Sequence, residues 1–299
     1  MSRIHEALKK AAEERAAQLA AGSEADVAEV SSELGLLTRG SEFIRPAVSA
    51  GDTTSENTFL RFEELGKRCA KLEWHIDPQS SVFINSRPGQ EGRERFRALR
   101  SRLCNIAATR KLKRVLLTSG VAGEGKTFVA FNLAQSMARQ PELRVLLVDA
   151  DLRSPRLHHL FGAPICPGLS DYLRGDADEY AIVQKGMNES LFLIPGGSLV
   201  SNPSELLLSE RMKQLLRRVA PLFDWIILDS PPSLPADDAG ILADLADGVL
   251  FVIRAGSTDA QIARRAAAEF QEKNLLGVVL NRVEKGDGYG GAYQNDRGR

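Results

Sequence analysis

The sequence contains little cysteine, no long apolar run and no net charge. Its three cysteines, Cys69, Cys104 and Cys166, are far apart and match no metal-binding spacing, so we expect buried small side chains in a reducing compartment. No stretch approaches the ~20 apolar residues of a membrane span, and charges interrupt the apolar residues near the N-terminus as they would not in a signal peptide. With 39 basic and 39 acidic residues, the chain is not expected to bind nucleic acid or membrane surfaces over its whole face.

The composition, 43% apolar and 26% charged, predicts a soluble α/β domain with a substantial core. The pattern along the chain predicts four segments: an amphipathic helix (1–21), a largely flexible linker with one short helix near 59–72 (22–80), a nucleotide-binding domain (81–283) and a glycine-rich flexible tail (284–299). The first helix could dock on a partner, dock on its own domain or remain solvated.

A glycine-rich loop follows a short apolar strand, Arg114–Thr118, and precedes a helical pattern that runs from Phe128 to Met137. The loop sequence SGVAGEGKT (119–127) fills the phosphate-loop motif G-x-x-x-x-G-K-[ST]. Glycines allow such a loop to turn its N–H groups inward, and the helix N-terminus attracts anions. We therefore predict a nucleotide-phosphate site whose contacts come from this loop and from the end of the last strand: Gly120, Ala122, Gly123, Glu124, Gly125, Lys126, Thr127, Phe128, Asn281 and Arg282.

Carboxylates end two further apolar strands. Asp149 and Asp151 follow Arg144–Val148, and Asp229 follows Asp224–Leu228. In doubly wound sheets ligands bind at the carboxyl ends of the strands, so Asp149 and Asp151 are both placed to face the nucleotide, and Asp229 would hold Mg²⁺ through water. Helix capping is the alternative role for one of the first two. Asp237 and Asp238 are weaker candidates.

Strand and helix patterns alternate through the rest of the domain, which predicts an α/β fold with a doubly wound, mostly parallel sheet and helices on both faces. The predicted elements are an extended segment at 81–85, helices at 91–108, 169–173, 202–219 (N-capped by Asn202) and 258–273 (with Thr258 and Gln261 as a capping box), and strands at 191–195, 248–254 and 276–280.

The helix over 91–108 combines an apolar stripe with many arginines. Glu94, Arg97 and Arg100 follow one another at spacings of three residues. A solvated basic face, a phosphate or nucleic-acid patch, and a subunit contact in which Glu94 meets arginines across an interface are all compatible with the pattern. In the tail, Tyr289 and Tyr293 are two of the chain's four tyrosines, and such residues usually occupy cores or interfaces.

Together, GVAGEGKT, LLVDADLRSP, IILDSPP and the tyrosine-bearing tail resemble the bacterial tyrosine autokinases of capsule and exopolysaccharide export. The spacing Glu94-x-x-Arg97-x-x-Arg100 is similar to the self-association motif of that family. The opening MSRIHEALKKA resembles the subgroup encoded beside exosortase-linked exopolysaccharide loci.

The resemblance implies a P-loop NTPase fold and ATP- and Mg²⁺-dependent tyrosine phosphorylation. According to this resemblance, Lys126 and Thr127 bind phosphates and metal, and Asp149 and Asp229 order the metal. Asp151 assists deprotonation of the tyrosine that accepts the phosphoryl group. It also implies that Tyr289 and Tyr293 are phosphorylated by a neighbouring subunit. The implied partners are further copies in a ring, a transmembrane chain-length-regulating activator and a cognate phosphatase, which place the protein in the cytoplasm at the inner membrane.

Two rival functions remain open. A partitioning or division-site ATPase shares the fold but carries a second lysine at the position of Val121, which this chain lacks. A non-catalytic assembly protein would bind ATP without transferring phosphate; the full set of Lys126, Asp149, Asp151 and Asp229 argues against it.

Overall fold

The computed structural model describes residues 60–84, 89–186 and 190–283. In these residues the strands are β1 (Ala70–Lys71), β2 (Arg114–Ser119), β3 (Val145–Asp149), β4 (Gln184–Lys185), β5 (Leu191–Ile194), β6 (Trp225–Asp229), β7 (Gly248–Arg254) and β8 (Leu275–Asn281). The helices are α1 (Phe62–Arg68), α2 (Gly89–Thr109), α3 (Lys126–Ala138), α4 (Leu157–Phe161), α5 (Leu169–Arg174), α6 (Glu179–Ile182), α7 (Pro203–Leu208), α8 (Glu210–Val219), α9 (Asp238–Leu245) and α10 (Ala260–Ala268). None of these helices is long and apolar enough to cross a bilayer.

The eight strands form one sheet in the order β1-β4-β5-β3-β6-β2-β7-β8. All pairs are parallel except β4 with β5. Every residue of β3 and β6 is buried, as expected for central strands of a sheet covered on both faces. The predicted α/β fold with a mostly parallel sheet is therefore confirmed.

Alternating side chains of the strands feed two hydrophobic cores. Leu146 and Val148 of β3 belong to the core covered by α5, α7, α8, α9 and α10, whereas Leu147 belongs to the core covered by α2, α3 and α4. Because successive strand residues point to opposite faces, this division requires helices on both sides of the sheet, as the sequence predicts.

Helix α3, which follows the glycine loop, is buried from Val129 to Ala138. It is covered on its outer side by α2 and by the segment before α2. Buried Asn132 accepts a hydrogen bond from Val82 N (2.9 Å) and donates one to Ser80 O (2.9 Å). The extended segment expected at 81–85 is therefore wrong for its described part: residues 82–84 form a turn, because the side chain of Asn132 takes the backbone groups that a strand would use.

The packed domain begins earlier than the boundary expected at residue 81. The short helix expected near 59–72 is α1, and its Leu65 is buried in the core together with Leu60 and Cys69. Strand β1 then extends the sheet beyond β4. Residues 60–80 are thus held by packing and strand pairing, and the expectation of a flexible linker is wrong for them. The predicted N-terminal helix and the rest of the predicted linker lie outside the described residues.

The helix expected over 202–219 is two helices, α7 and α8. At Ser209 the backbone is extended (φ −61°, ψ 155°), and its hydroxyl donates to Leu206 O (2.6 Å) and accepts from Met212 N (3.4 Å). One serine therefore ends the first helix and caps the second, a local competition with the helix that the apolar spacing does not reveal.

The capping box expected at Thr258 is also wrong. Asp259 caps α10, since its side chain accepts from the N–H groups of Gln261 and Ile262. The α-helix ends at Ala268 rather than near Lys273, because the following residues change to the tighter i to i−3 hydrogen bonds of turns.

Asp247 joins the amino ends of β2 and β7. Its carboxylate accepts from Lys113 N (3.0 Å), Arg114 N (2.8 Å) and Arg114 Nη2 (2.7 Å). Burial alone would raise the pKa of Asp247, but the hydrogen bonds and charge of Arg114 outweigh burial and lower it. This ionic contact lies at the opposite end of β2 from the glycine loop.

Candidate functional site

The carboxyl ends of three adjacent strands, β3, β6 and β2, meet at one edge of the sheet. Asp149 ends β3 and Asp229 ends β6, and the two are direct register partners. The glycine loop follows β2, which pairs with β6 on its other side. The fold therefore brings the predicted carboxylates and the predicted phosphate loop to the same place.

Two glycines give the loop its shape. Gly123 (φ +82°) and Gly125 (φ +93°) have left-handed backbone conformations that other residues rarely adopt. Gly125 leads directly into α3, whose first residue is Lys126. The unpaired N–H groups at the start of a helix of this length make the end of the loop suitable for an anion.

A cleft of about 460 Å³ opens over the loop. Lys126 lies in its wall, with Nζ 3.2 Å from Asp151 Oδ2. Both side chains are largely buried, being 12% and 6% exposed, so the ion pair is shielded from water. The lining of the cleft comes from three segments: the loop with the start of α3 (Ala122, Gly123, Gly125, Lys126, Thr127), the segment after β3 (Asp151, Arg153, Ser154, Arg156) and the segment after β6 (Pro231, Pro232, Pro235, Ala236), with Arg282 after β8.

Asp149 and Asp229 are buried carboxylates with free acceptor capacity. Asp149 Oδ1 and both carboxylate oxygens of Asp229 make no hydrogen bond. Burial, with a further contribution from Asp229, raises the pKa of Asp149 well above its usual range. Burial also raises the pKa of Asp229 to about 7, although Lys126 and the Thr127 hydroxyl oppose the rise.

Unpartnered buried carboxylate oxygens are costly unless a cation takes them up. Two carboxylates and the nearby hydroxyl of Thr127 fit Mg²⁺, which is usually held by one or two carboxylates together with water and substrate phosphates. In the described part of the chain no three His, Cys, Asp or Glu side chains cluster to hold a metal by themselves. The site is thus suited to an ion that arrives with phosphate oxygens.

Not every predicted nucleotide contact lines this cleft. Phe128 and Asn281 face a neighbouring cleft of about 420 Å³ between α2 and β8, and Arg282 lines both clefts. Gly120 packs on α10, where an added Cβ would lie 3.1 Å from that of Ala266. The side chain of Glu124 is buried on the other side of the loop.

Sequence reasoning did not select two arginines and several prolines in the cleft wall. Arg153 is held by buried Asp238, with Nε 2.6 Å from Oδ2, and Arg156 lies nearby. The sequence could have indicated them, because ligands bind where strands end in such a sheet. Arg153 follows Asp149-x-Asp151 closely, and the prolines come directly after Asp229-Ser230.

The predicted self-association residues lie on α2. Glu94 pairs with Arg97 of the same helix (2.5 Å), and both side chains are exposed. Arg100 Nη1 donates to Ser136 O of α3 (2.7 Å), so it already has a role within the chain. Tyr289 and Tyr293 lie outside the described residues.

Comparison with known proteins assigns the fold and the family. The family model described as the CobQ/CobB/MinD/ParA nucleotide binding domain matches residues 115–294. Tyrosine-protein kinase YwqD of Bacillus subtilis is 35% identical over 216 residues, which are 71% of this chain and 91% of that protein. The putative tyrosine-protein kinase EpsB of Ralstonia nicotianae is 36% identical over 69% of this chain, which spans only 28% of that longer relative.

Among solved structures, the kinase domain of the Escherichia coli tyrosine kinase ETK superposes with a TM-score of 0.63 at 31% identity, covering 71% of this chain and 83% of that domain. The chain therefore belongs to the family of bacterial tyrosine-protein kinases of capsule and exopolysaccharide export, which are built on the CobQ/CobB/MinD/ParA nucleotide-binding domain.

Proposed function

We propose that the protein transfers the γ-phosphoryl group of ATP, with Mg²⁺, to tyrosines of its own carboxyl-terminal tail. The observation that carries this proposal is the pair of buried carboxylates, Asp149 and Asp229, with unpartnered oxygens beside Lys126 and Thr127. Such a pair has little use in a purely structural core, whereas phosphoryl transfer depends on a positioned metal and a positioned cation.

The proposed roles follow from position. Asp149, Asp229 and Thr127 hold Mg²⁺, which when bound neutralises charge on the β- and γ-phosphates. Lys126 binds the same phosphates, and backbone groups of the loop surround them.

Asp151 is proposed to assist the acceptor. In the structure it holds Lys126 at 3.2 Å. Incoming phosphates compete for the ammonium group, which leaves the Asp151 carboxylate to accept the proton of the tyrosine O–H. The tyrosine oxygen then forms a bond to the γ-phosphorus while the bond from that phosphorus to the bridging oxygen breaks, and ADP leaves with both bonding electrons.

The tail tyrosines are the proposed acceptors because the other two tyrosines are engaged in the fold. Tyr172 is buried, and its hydroxyl donates to Glu179 (3.3 Å). The hydroxyl of Tyr180 donates to Glu64 (3.3 Å). Tyr289 and Tyr293 are the remaining tyrosines of the chain.

The test is phosphosite mapping by mass spectrometry in a mixture of two variants. One variant, Lys126→Met, keeps the tail but lacks the phosphate-binding lysine. The other, Tyr289→Phe with Tyr293→Phe, keeps the site but lacks the proposed acceptors. We expect phosphotyrosine on the tail of the Lys126→Met chain in the mixture and none when either variant is incubated alone.

Phosphate confined to Tyr172 or Tyr180 would refute the tail assignment. An unlabelled Lys126→Met chain beside an active wild-type protein would refute transfer between subunits. A wild-type protein that binds ATP and never gains phosphotyrosine would favour the non-catalytic assembly function.

The proposed partners follow the family. Further copies assemble in a ring through Glu94, Arg97 and Arg100, a transmembrane chain-length-regulating protein activates the kinase, and a tyrosine phosphatase resets it. The opening residues 1–11 support an exosortase-linked exopolysaccharide locus, and the activator would hold the protein at the inner membrane from the cytoplasm. Cell fractionation tests this: the protein should leave the membrane fraction when the activator is deleted, and unchanged fractionation would contradict it.

A further inference from the structure

Glu124 is the one acidic residue of the phosphate loop, and its side chain does not enter the cleft. It is only 2% exposed. One carboxylate oxygen accepts from Val121 N (3.0 Å) within the loop, and the other accepts from the Thr258 hydroxyl (2.8 Å). Thr258 lies between β7 and α10, so the carboxylate joins the loop to a separate part of the domain.

Asn281 holds the same loop residue from the end of β8. Its Nδ2 donates to the backbone oxygen of Glu124 (2.9 Å). The amide passes so close to Gly125 that a Cβ at that position would lie 2.1 Å from Asn281 Nδ2. Gly125 is therefore required for this contact as well as for its positive φ.

We propose that Glu124, Thr258 and Asn281 form a loop latch, a set of positioning residues that fixes the phosphate loop in its binding conformation before nucleotide arrives. The proposal deepens the proposed function only at the step of nucleotide binding. A loop with three glycines loses much conformational freedom when it is ordered around phosphates. A loop that is already ordered does not lose that freedom on binding, so its affinity is higher.

The latch gives a role to β7 and β8, which carry none of the three aspartates. Glu124 is tied to Thr258 after β7 and to Asn281 at the end of β8, while Lys126 and Thr127 face the cleft. Glu124 accordingly acts through the loop and not on the phosphates.

The test measures the dissociation constant of Mg²⁺ and the fluorescent nucleotide mant-ADP for the full chain. Thr258→Val removes the hydroxyl and Glu124→Ala removes its acceptor, and each should weaken binding about tenfold, the loss expected for one buried hydrogen bond to a charged group. The dissociation constants of Thr258→Ser and Glu124→Gln should remain within about threefold of the wild-type value. Serine keeps the hydroxyl donor, and the Thr258 hydroxyl can donate to the glutamine oxygen or accept from its amide. Ser257→Ala, at the exposed neighbouring hydroxyl, is the matched control and should bind like wild type.

A double variant, Glu124→Ala with Thr258→Val, separates a latch from two unrelated defects. If the two residues are coupled, the double variant should bind nucleotide hardly more weakly than either single variant. Additive losses, or affinities that do not change in variants shown by thermal unfolding to be folded, would overturn the latch. If Glu124→Ala does not fold, Thr258→Val against Thr258→Ser decides the question.

Nucleotide binding is read without phosphoryl transfer, so the two proposals fail separately. A chain that shows the expected pattern of affinities yet gains no phosphotyrosine would contradict the kinase proposal and support the latch. An active kinase whose nucleotide affinity does not change with these substitutions would support the kinase proposal and contradict the latch.

Discussion

Replacing Asp229 by asparagine should stabilise the metal-free protein, although it removes a proposed metal ligand. Asp229 is 1% exposed and neither of its carboxylate oxygens is hydrogen-bonded. Its pKa rises from 3.8 to about 7 mainly through burial. Ionised Asp229 therefore opposes folding, whereas an amide of the same shape carries no charge.

The magnitude follows from the pKa. Each pH unit between the unfolded and folded pKa corresponds to about 1.4 kcal/mol, and the folded pKa already includes the opposing effect of Lys126, so ionised Asp229 destabilises the fold by on the order of 4 kcal/mol. A buried amide without partners carries a cost of its own, so the substitution should recover about 2–4 kcal/mol. Because the folded pKa is raised, the contribution of Asp229 to the stability of the wild type is most favourable below pH 4 and becomes less favourable as the pH rises to 7. The advantage of Asp229→Asn should be fully present at pH 8 and fall to about half or less at pH 5.

The assay is thermal unfolding in EDTA at pH 5 and pH 8. At pH 8 the variant should melt about 5–10 °C above wild type, since 1 kcal/mol corresponds to about 2–4 °C for a domain of this size. With ADP present, added Mg²⁺ should stabilise wild type much more than the variant. Asp224→Asn, at the exposed residue before β6, is the control: its amide oxygen can still accept from Arg144 N, so stability should change by less than about 0.5 kcal/mol.

A variant no more stable than wild type in EDTA at pH 8 would refute the reasoning, as would an advantage that is equal at pH 5. Either result would mean that a protein group satisfies Asp229 in solution, and the metal assignment would lose its main support.

Three further substitutions test other parts of the molecule. Lys126→Met should reduce phosphotyrosine formation by on the order of 10²-fold or more. It should also lower the melting temperature by a few degrees, since it leaves buried Asp151 without its cation. Normal phosphotyrosine formation would show that Lys126 has no part in the mechanism. Asp247→Asn should lower the unfolding free energy in urea by about 1–3 kcal/mol at pH 7, with a smaller difference as the pH falls below 4, because the lowered pKa of Asp247 stabilises the fold only while it is ionised; mant-ADP affinity should not change. Arg97→Ala should shift light-scattering masses towards the monomer while Arg95→Ala, on the same helix, should not; identical assemblies in both would contradict the interface.

The central part of the site was predictable from sequence because its signals are local. Gly120 to Thr127 between an apolar strand and a helix, and an aspartate directly after each of two more strands, are short patterns whose geometry follows from the backbone. Parallel pairing then brings Asp149 next to Asp229 without further information. The sequence therefore predicted both the fold class and the place of the cleft.

What could not be predicted depends on contacts between distant segments. Residues 60–80 lack sustained periodicity, yet α1 and β1 belong to the domain because Leu65 is buried in the core and β1 pairs with β4. Ser209 breaks a continuous apolar pattern by bonding to its neighbours. Thr258 looked like a helix cap, but its hydroxyl donates to Glu124, which is 134 residues away.

Asp149 shows that the capping and metal-binding interpretations of one aspartate are compatible. Its Oδ2 accepts from Arg156 N and Leu157 N (2.9 Å each) and so anchors the start of α4, while Oδ1 remains without a partner. Asp149→Asn can keep the cap with its remaining oxygen but replaces one carboxylate oxygen by a donor. Because burial raises the pKa of Asp149 as it does that of Asp229, the amide also removes a buried charge, so in EDTA at pH 8 we expect a stability at least equal to that of wild type. We expect no Mg²⁺-dependent stabilisation with ADP. Asp149→Ala loses both functions and should be about 1–2 kcal/mol less stable than the asparagine variant in urea. Equal stabilities would show that the bonds to α4 contribute nothing, and Mg²⁺-dependent stabilisation that survives in Asp149→Asn would exclude this oxygen from the metal site.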